Sequence, residues 1–96
     1  MNYSRSTFQP LEGKTFFIGN GEQVLQADLI DISDMLETDD GVMQSRQFSL
    51  VWRGPADKIL DQGTYTVSHP DIGDLELFLV TIGPDESGMR YEAVFT

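Results

Sequence analysis

The sequence predicts an all-β fold, a single small antiparallel barrel or sandwich of about six strands. Three observations carry this. From Phe48 to Phe95 the chain is four apolar runs of strand length, FSLVWRGP, LDQGTYTVSHPDIG, LELFLVTIGP and MRYEAVF, set apart by Gly, Pro, Asp and Ser. The cleanest run alternates, with Phe48, Leu50 and Trp52 on one face and Ser49, Val51 and Arg53 on the other. That is the period of two of a half-buried strand. Finally, the stretch with helical spacing (Leu25, Leu29, Ile32, Leu36) is crowded with Asp28, Asp31, Ser33 and Asp34, which serve poorly inside a helix.

In chain order, Phe8 and Leu11 are the expected core anchors of an otherwise polar start. Lys14 to Ile18 is a short strand, and Gly19-Asn20-Gly21 is a turn, since Asn and Gly accept positive φ. Gln23 to Leu36 reads as a long, bent strand in which the apolar parity switches between Leu29 and Ile30. A β-bulge there would re-aim the side chains. Glu37 to Gly41 is an acidic loop. Gln44 to Arg53 is the alternating strand, stopped by Gly54-Pro55, with a single helical turn expected over Ala56 to Leu60.

Gly63 opens a strand that puts Tyr65, Val67 and His69 on one face, and Pro70 to Asp74 turns the chain. Leu75 to Ile82 is apolar on both faces after Glu76, as a central strand or one at a barrel closure would be. Gly83 to Gly88 is a loop. Met89, Tyr91, Ala93 and Phe95 then point inward along a last strand, against Arg90, Glu92 and Thr96 outward. Short hairpin-type links suggest an antiparallel meander.

Length and charge bound the function. Ninety-six residues make one domain, 1–96, and the absence of cysteine removes disulfides, zinc thiolates and a catalytic thiol. Sixteen Asp and Glu against six Lys and Arg give a formal charge of −10, which repels phosphate backbones and argues against direct nucleic-acid binding. The start MNYSRSTFQPLEG has no apolar signal region, and no run approaches the ~20 residues that span a bilayer. The expected location is cytoplasmic, with release in a particle or surface assembly also open.

No chemistry is singled out, and no catalytic, cofactor or metal residue is assigned. His69 is the single histidine; pairing it with Ser68 or Ser49 has no catalytic geometry, because strand neighbours point apart. A turn hydrogen bond is the better expectation for it. The acids Asp28, Asp31, Asp34, Glu37, Asp39 and Asp40, and Asp71, Asp74 and Glu76, lack EF-hand spacing for calcium. Gly19-Asn20-Gly21 lacks the lysine and helix of a phosphate loop. Trp52 reads as core, with Arg53 pairing to an acid of a neighbouring strand. In Gln62-Gly63-Thr64-Tyr65, Gly63 is expected at positive φ, Gln62 to bond backbone across the corner, and the Tyr65 hydroxyl to reach a loop.

The succession Phe48-Ser-Leu-Val-Trp-Arg-Gly-Pro55, Leu60-Asp-Gln-Gly-Thr-Tyr65, His69-Pro70, Leu77-Phe-Leu-Val80 and Tyr91-Glu-Ala-Val-Phe95 resembles a bacterial domain family of unknown function. The likeness is strong from Phe48 onward, and Thr81 stands where the family pattern has Pro. Such members are associated with phage-tail-collar-type proteins, which implies a structural or assembly role and supplies no catalytic residues. The leading expectation is a non-enzymatic adaptor that binds a tail- or fibre-type protein through a strand edge or an acidic face. The alternatives are an acidic inhibitor mimicking nucleic-acid charge and a small-ligand-binding barrel. Oligomeric state is left open.

Overall fold

In a computed structural model, which describes residues 5–21, 23–35 and 47–95, the chain forms a closed antiparallel barrel of six strands. They are β1 (Thr15–Gly19), β2 (Val24–Met35), β3 (Gln47–Gly54), β4 (Gly63–His69), β5 (Gly73–Pro84) and β6 (Met89–Phe95). All six expected strands are present. The expected Gln44 to Arg46 start of β3 and the acidic loop from Glu37 to Gly41 lie outside the described residues.

The strands run around the barrel in the order β1-β2-β3-β6-β5-β4, so the expected meander is corrected. Two three-stranded meanders, β1-β2-β3 and β4-β5-β6, join through the β3–β6 and β1–β4 seams. The two long strands, β2 and β5, are the middle strands of these meanders. Val24 to Asp28 of β2 pair with β1, and Asp28 to Met35, except Ile30, with β3. The first seven residues of β5 pair with β4, and Val80 to Pro84 with β6. Each long strand carries an irregularity, at Ile30 in β2 and at Ile82 in β5. The extra residue bends the strand and lets it turn the barrel corner. The parity switch at Leu29 and Ile30 is thus the expected bulge.

Alternation fills the interior. Phe16, Ile18, Leu29, Leu50, Trp52, Val67, Leu79 and Tyr91 are fully buried. Trp52 meets Phe16 edge-on at 5.5 Å, and its indole Nε1 has no hydrogen-bond acceptor. The start of the chain closes one mouth of the barrel. A short helix, α1 (Arg5–Phe8), and a 3₁₀ turn, Gln9–Leu11, seat Phe8 and Leu11 in the core, as the sequence leads one to expect of these two anchors. The helix itself, carried by residues of middling propensity, has no amphipathic signal long enough to read.

The link from β3 to β4 is a strap that packs Leu60 into the core. It holds turns and no helix, so the helical turn expected at Ala56 to Leu60 is absent. Side-chain anchoring explains this. Leu60 is buried, its N–H donates to the Tyr91 hydroxyl at 2.9 Å, and its carbonyl accepts from the Thr81 hydroxyl at 2.9 Å. The Tyr65 hydroxyl donates to the Asp61 carbonyl at 2.6 Å, as expected of a tyrosine reaching a loop. Gly63 is corrected: its φ is not positive, and a β-carbon there would meet only ordinary contacts. Gln62 is exposed. Positive φ falls instead on Gly13, Gly21, Gly73 and Gly83, and Gly21 sits in the turn where Asn20 Oδ1 accepts from the Gln23 N–H.

Candidate functional site

The run Leu75 to Ile82 is the place where the structure departs most usefully from expectation. Its inner residues, Leu75 and Leu79, are buried, with Leu77 packed against the same core. The outer residues are not covered by a second layer. Phe78 is 54 % exposed and Ile82 36 %. Val94, on the outer face of the neighbouring β6, is 47 % exposed. Val80 pairs with Glu92, and Phe78 and Val94 lie two residues beyond that pair on the same outer face. Three large apolar side chains on adjoining strands therefore face outward, with Val80 half-buried between them. Isolated exposed apolar residues need no explanation, but a grouped set on a sheet face does.

Carboxylates flank this stripe. Glu76 and Asp74 precede Phe78 on the outer face of β5, and both are exposed. Glu92 lies between Val80 and Val51 across three strands. At the far end stand two arginines, Arg53 and Arg90, directly opposite each other on β3 and β6. Like charges so placed repel unless each is met elsewhere. Arg53 is met by Asp85 in the β5–β6 hairpin, through Nε at 2.9 Å and Nη2 at 2.6 Å. Arg90 turns its Nε toward the Gly83 carbonyl at 3.4 Å. Arg53 thus pairs with an acid, but with one in a hairpin loop and not on a neighbouring strand.

Asp85 also caps its own loop, accepting from the backbone N–H of Ser87 at 2.8 Å and of Gly88 at 3.0 Å. The Arg53 hydrogen bonds, then the Ser87 N–H, hold its carboxyl below the usual carboxylate range, against a smaller opposing effect of burial. Gly88 lies so close to Gly54 that a β-carbon would strike the Gly54 carbonyl oxygen. The hairpin is therefore fastened to the end of β3 both by charge and by close backbone approach.

Beside it runs an open groove of about 730 Å³, lined among others by Gln26, Asp28, Arg53, Asp57, Lys58 and Ser87. Two of its charged groups are engaged by residues outside it. Arg53 is held by Asp85, and Asp28 accepts the Thr15 hydroxyl at 2.7 Å. Nothing in it converges on a point.

The remaining sequence candidates are scattered. His69 does make the turn contact expected of it: Nδ1 accepts the Asp71 N–H at 3.0 Å, and the ring packs 5.0 Å from Phe16. That bond places the proton of the neutral ring on Nε2. Ser68 is half-buried on β4 with its neighbour His69 facing the other way, and Ser49 is buried on β3. Asp31 accepts the Ser33 hydroxyl at 2.6 Å. Glu37, Asp39 and Asp40 lie outside the described residues. Among the described residues no three Asp, Glu or His side chains gather as metal ligands would, and no helix is long and apolar enough to cross a membrane.

Sequence reasoning missed the stripe because an uninterrupted apolar run signals burial on both faces. The signal that could have found it is the parity of Phe78, Val80 and Ile82 with Glu76, an acid that has to face solvent.

A family model described as Domain of unknown function (DUF6916) matches residues 3–95. The chain belongs to that family. The DUF6916 match spans both meanders and the strap, so the whole barrel is the family's unit. No curated protein and no solved structure matches this DUF6916 chain.

Proposed function

We propose that this barrel is a non-enzymatic adaptor that binds another protein through the outer face of β5 and β6. The observation that carries the reading is the exposed Phe78, Ile82 and Val94 on adjoining strands of a chain whose net charge is −10. Such a stripe is costly to leave in water, and protein-binding faces have this make-up, an apolar centre within a polar rim. The face, and not a strand edge, is the better candidate, because each of the six strands has a partner on both sides over part of its length. A place in a phage-tail-like or surface-fibre assembly is the context this reading favours, and it rests on the sequence resemblance alone. A ligand-binding barrel is less favoured, since Trp52, Tyr91, Phe16 and Leu50 occupy the interior.

The test is capture of partners from native-host lysate by the tagged wild-type protein and by Phe78→Ser, with moderate salt throughout. A tail- or fibre-type protein held by the wild type and released by Phe78→Ser supports the reading. A nucleic-acid enzyme held equally by both proteins and released by salt would replace it with charge mimicry.

A further inference from the structure

We propose that the occupant of the β5–β6 face is a basic, amphipathic segment of a different protein, with an apolar side chain seated against Phe78 and Val94 and Lys or Arg side chains reaching Glu76 and Glu92. The inference rests on the protein-binding reading above and names the chemistry of its partner.

Charge decides between the possible occupants. Glu76 is exposed and lies next along the outer face of β5 from Phe78. Glu92, half-buried, lies next to Val94 on β6 and across from Val80, on the other side of the Phe78–Val94 pair from Glu76. Asp74 extends the acidic end of the stripe. None of these three carboxylates has a cationic partner among the ion pairs of the described residues, where Arg53 is taken by Asp85. Arg90, the next outward residue from Glu92 along β6, directs its Nε to the Gly83 carbonyl. Along the outer face the order is therefore Asp74 and Glu76, then Phe78 and Val94, then Val80 and Glu92, and last the two arginines, so a carboxylate stands on each side of the Phe78–Val94 pair.

A second copy of this chain fits poorly. An isologous contact centred on Phe78 and Val94 would bring Glu76 of each copy toward Glu92 or Glu76 of the other, between two bodies each of charge −10. An acidic segment meets the same repulsion. A basic segment meets attraction at Glu76 and Glu92, on either side of the ready-made surface that seats its apolar residue. Juxtaposed charges of this kind set partner choice and association rate more than they set tightness. A strip this small fits a short segment held weakly and made effective by repetition in an assembly.

The experiment uses the full chain and three immobilised synthetic peptides that share one amphipathic apolar pattern, with polar positions filled by Lys, by Gln or by Glu. Binding is measured at low and moderate salt for the wild type, Phe78→Ser, and the double variant Glu76→Gln, Glu92→Gln; circular dichroism and a melting curve show that each variant is folded. The expected result is preference for the Lys peptide by tenfold or more over the Glu peptide. Phe78→Ser should abolish the binding, and the double carboxamide variant should cut it several-fold and flatten its salt dependence. If the Gln or Glu peptide binds best and Phe78→Ser still abolishes it, the face is a binding face and the basic partner is wrong. If the Lys peptide binds and Phe78→Ser changes nothing, the stripe is not the site, and both proposals fall. Binding of none of the three peptides overturns both as well. Sedimentation that shows a dimer dispersed by Phe78→Ser overturns the foreign partner in favour of a second copy.

Discussion

Phe48 and Phe95 stack face to face, 4.6 Å between centroids and 5° from parallel, as a cross-strand pair on β3 and β6. Phe8 leans on both rings, at 6.0 Å and 5.3 Å. Residues far apart in the chain thus meet where the start of the chain covers a barrel mouth. Phe48→Ala should cost about 3–5 kcal/mol, the range for deleting a buried ring. Urea unfolding monitored by Trp52 fluorescence checks it. An effect below ~1 kcal/mol would mean the mouth is not part of the cooperative core.

Two glycines should respond oppositely to the same change. Gly88→Ala drives a β-carbon into the Gly54 carbonyl and should destabilise by about 1–3 kcal/mol, as overpacking does. Gly63→Ala meets a Tyr65 ring carbon at 3.7 Å, an ordinary contact, and should be near neutral. Melting curves of the pair settle whether the hairpin or the start of β4 is the constrained site.

Acid should loosen the hairpin through Asp85. Its folded pKa lies below the ordinary value of 3.8, so its stabilising effect is fully present above that value and is lost as pH falls through the depressed one. Stability measured from pH 6 downward should fall less steeply for Asp85→Asn than for the wild type. Parallel curves for the two would remove Asp85 from the acid response.

Tyr91 gives the opposite sign. Burial raises its pKa above 10.0, partly offset by the hydrogen bond from Leu60 N–H. A raised folded pKa means the contribution is whole below about pH 10 and is lost as pH climbs through the raised value. Tyr91→Phe should cost about 1–3 kcal/mol at neutral pH, because the Leu60 N–H is left buried without its acceptor. Absorbance titration of the wild type should show one tyrosine ionising only as the protein unfolds.

The strands were legible because their alternation and punctuation are local. The bulge at Ile30 could be read because a parity switch is written in the residues themselves. The order β3-β6 was not legible, since contacts such as Phe8 against Phe48 and Phe95 or Leu60 against Tyr91 span much of the chain. The helix at Ala56 failed for a related reason. Tyr91 and Thr81 claim both backbone groups of Leu60 from other strands, and local propensity gives way to them. Position Gly63 looked strained from composition, yet nothing but a start-of-strand glycine was needed there. The stripe was hidden by its own hydrophobicity, as apolar residues written on both faces say nothing of which face water reaches.

The six seams of the barrel are unequal. Between β1 and β4 only Phe17, Ile18 and Gly19 find partners, whereas β3 and β6 are matched over seven positions. A ring held by one short clasp breathes there first: the β1–β2 hairpin can swing away while the β3–β6 side stays shut. Amide hydrogens across the clasp should then exchange with solvent through brief local opening, orders of magnitude faster than those of Leu50 and Trp52. Exchange at one common rate around the ring would mean that the barrel opens only by unfolding altogether.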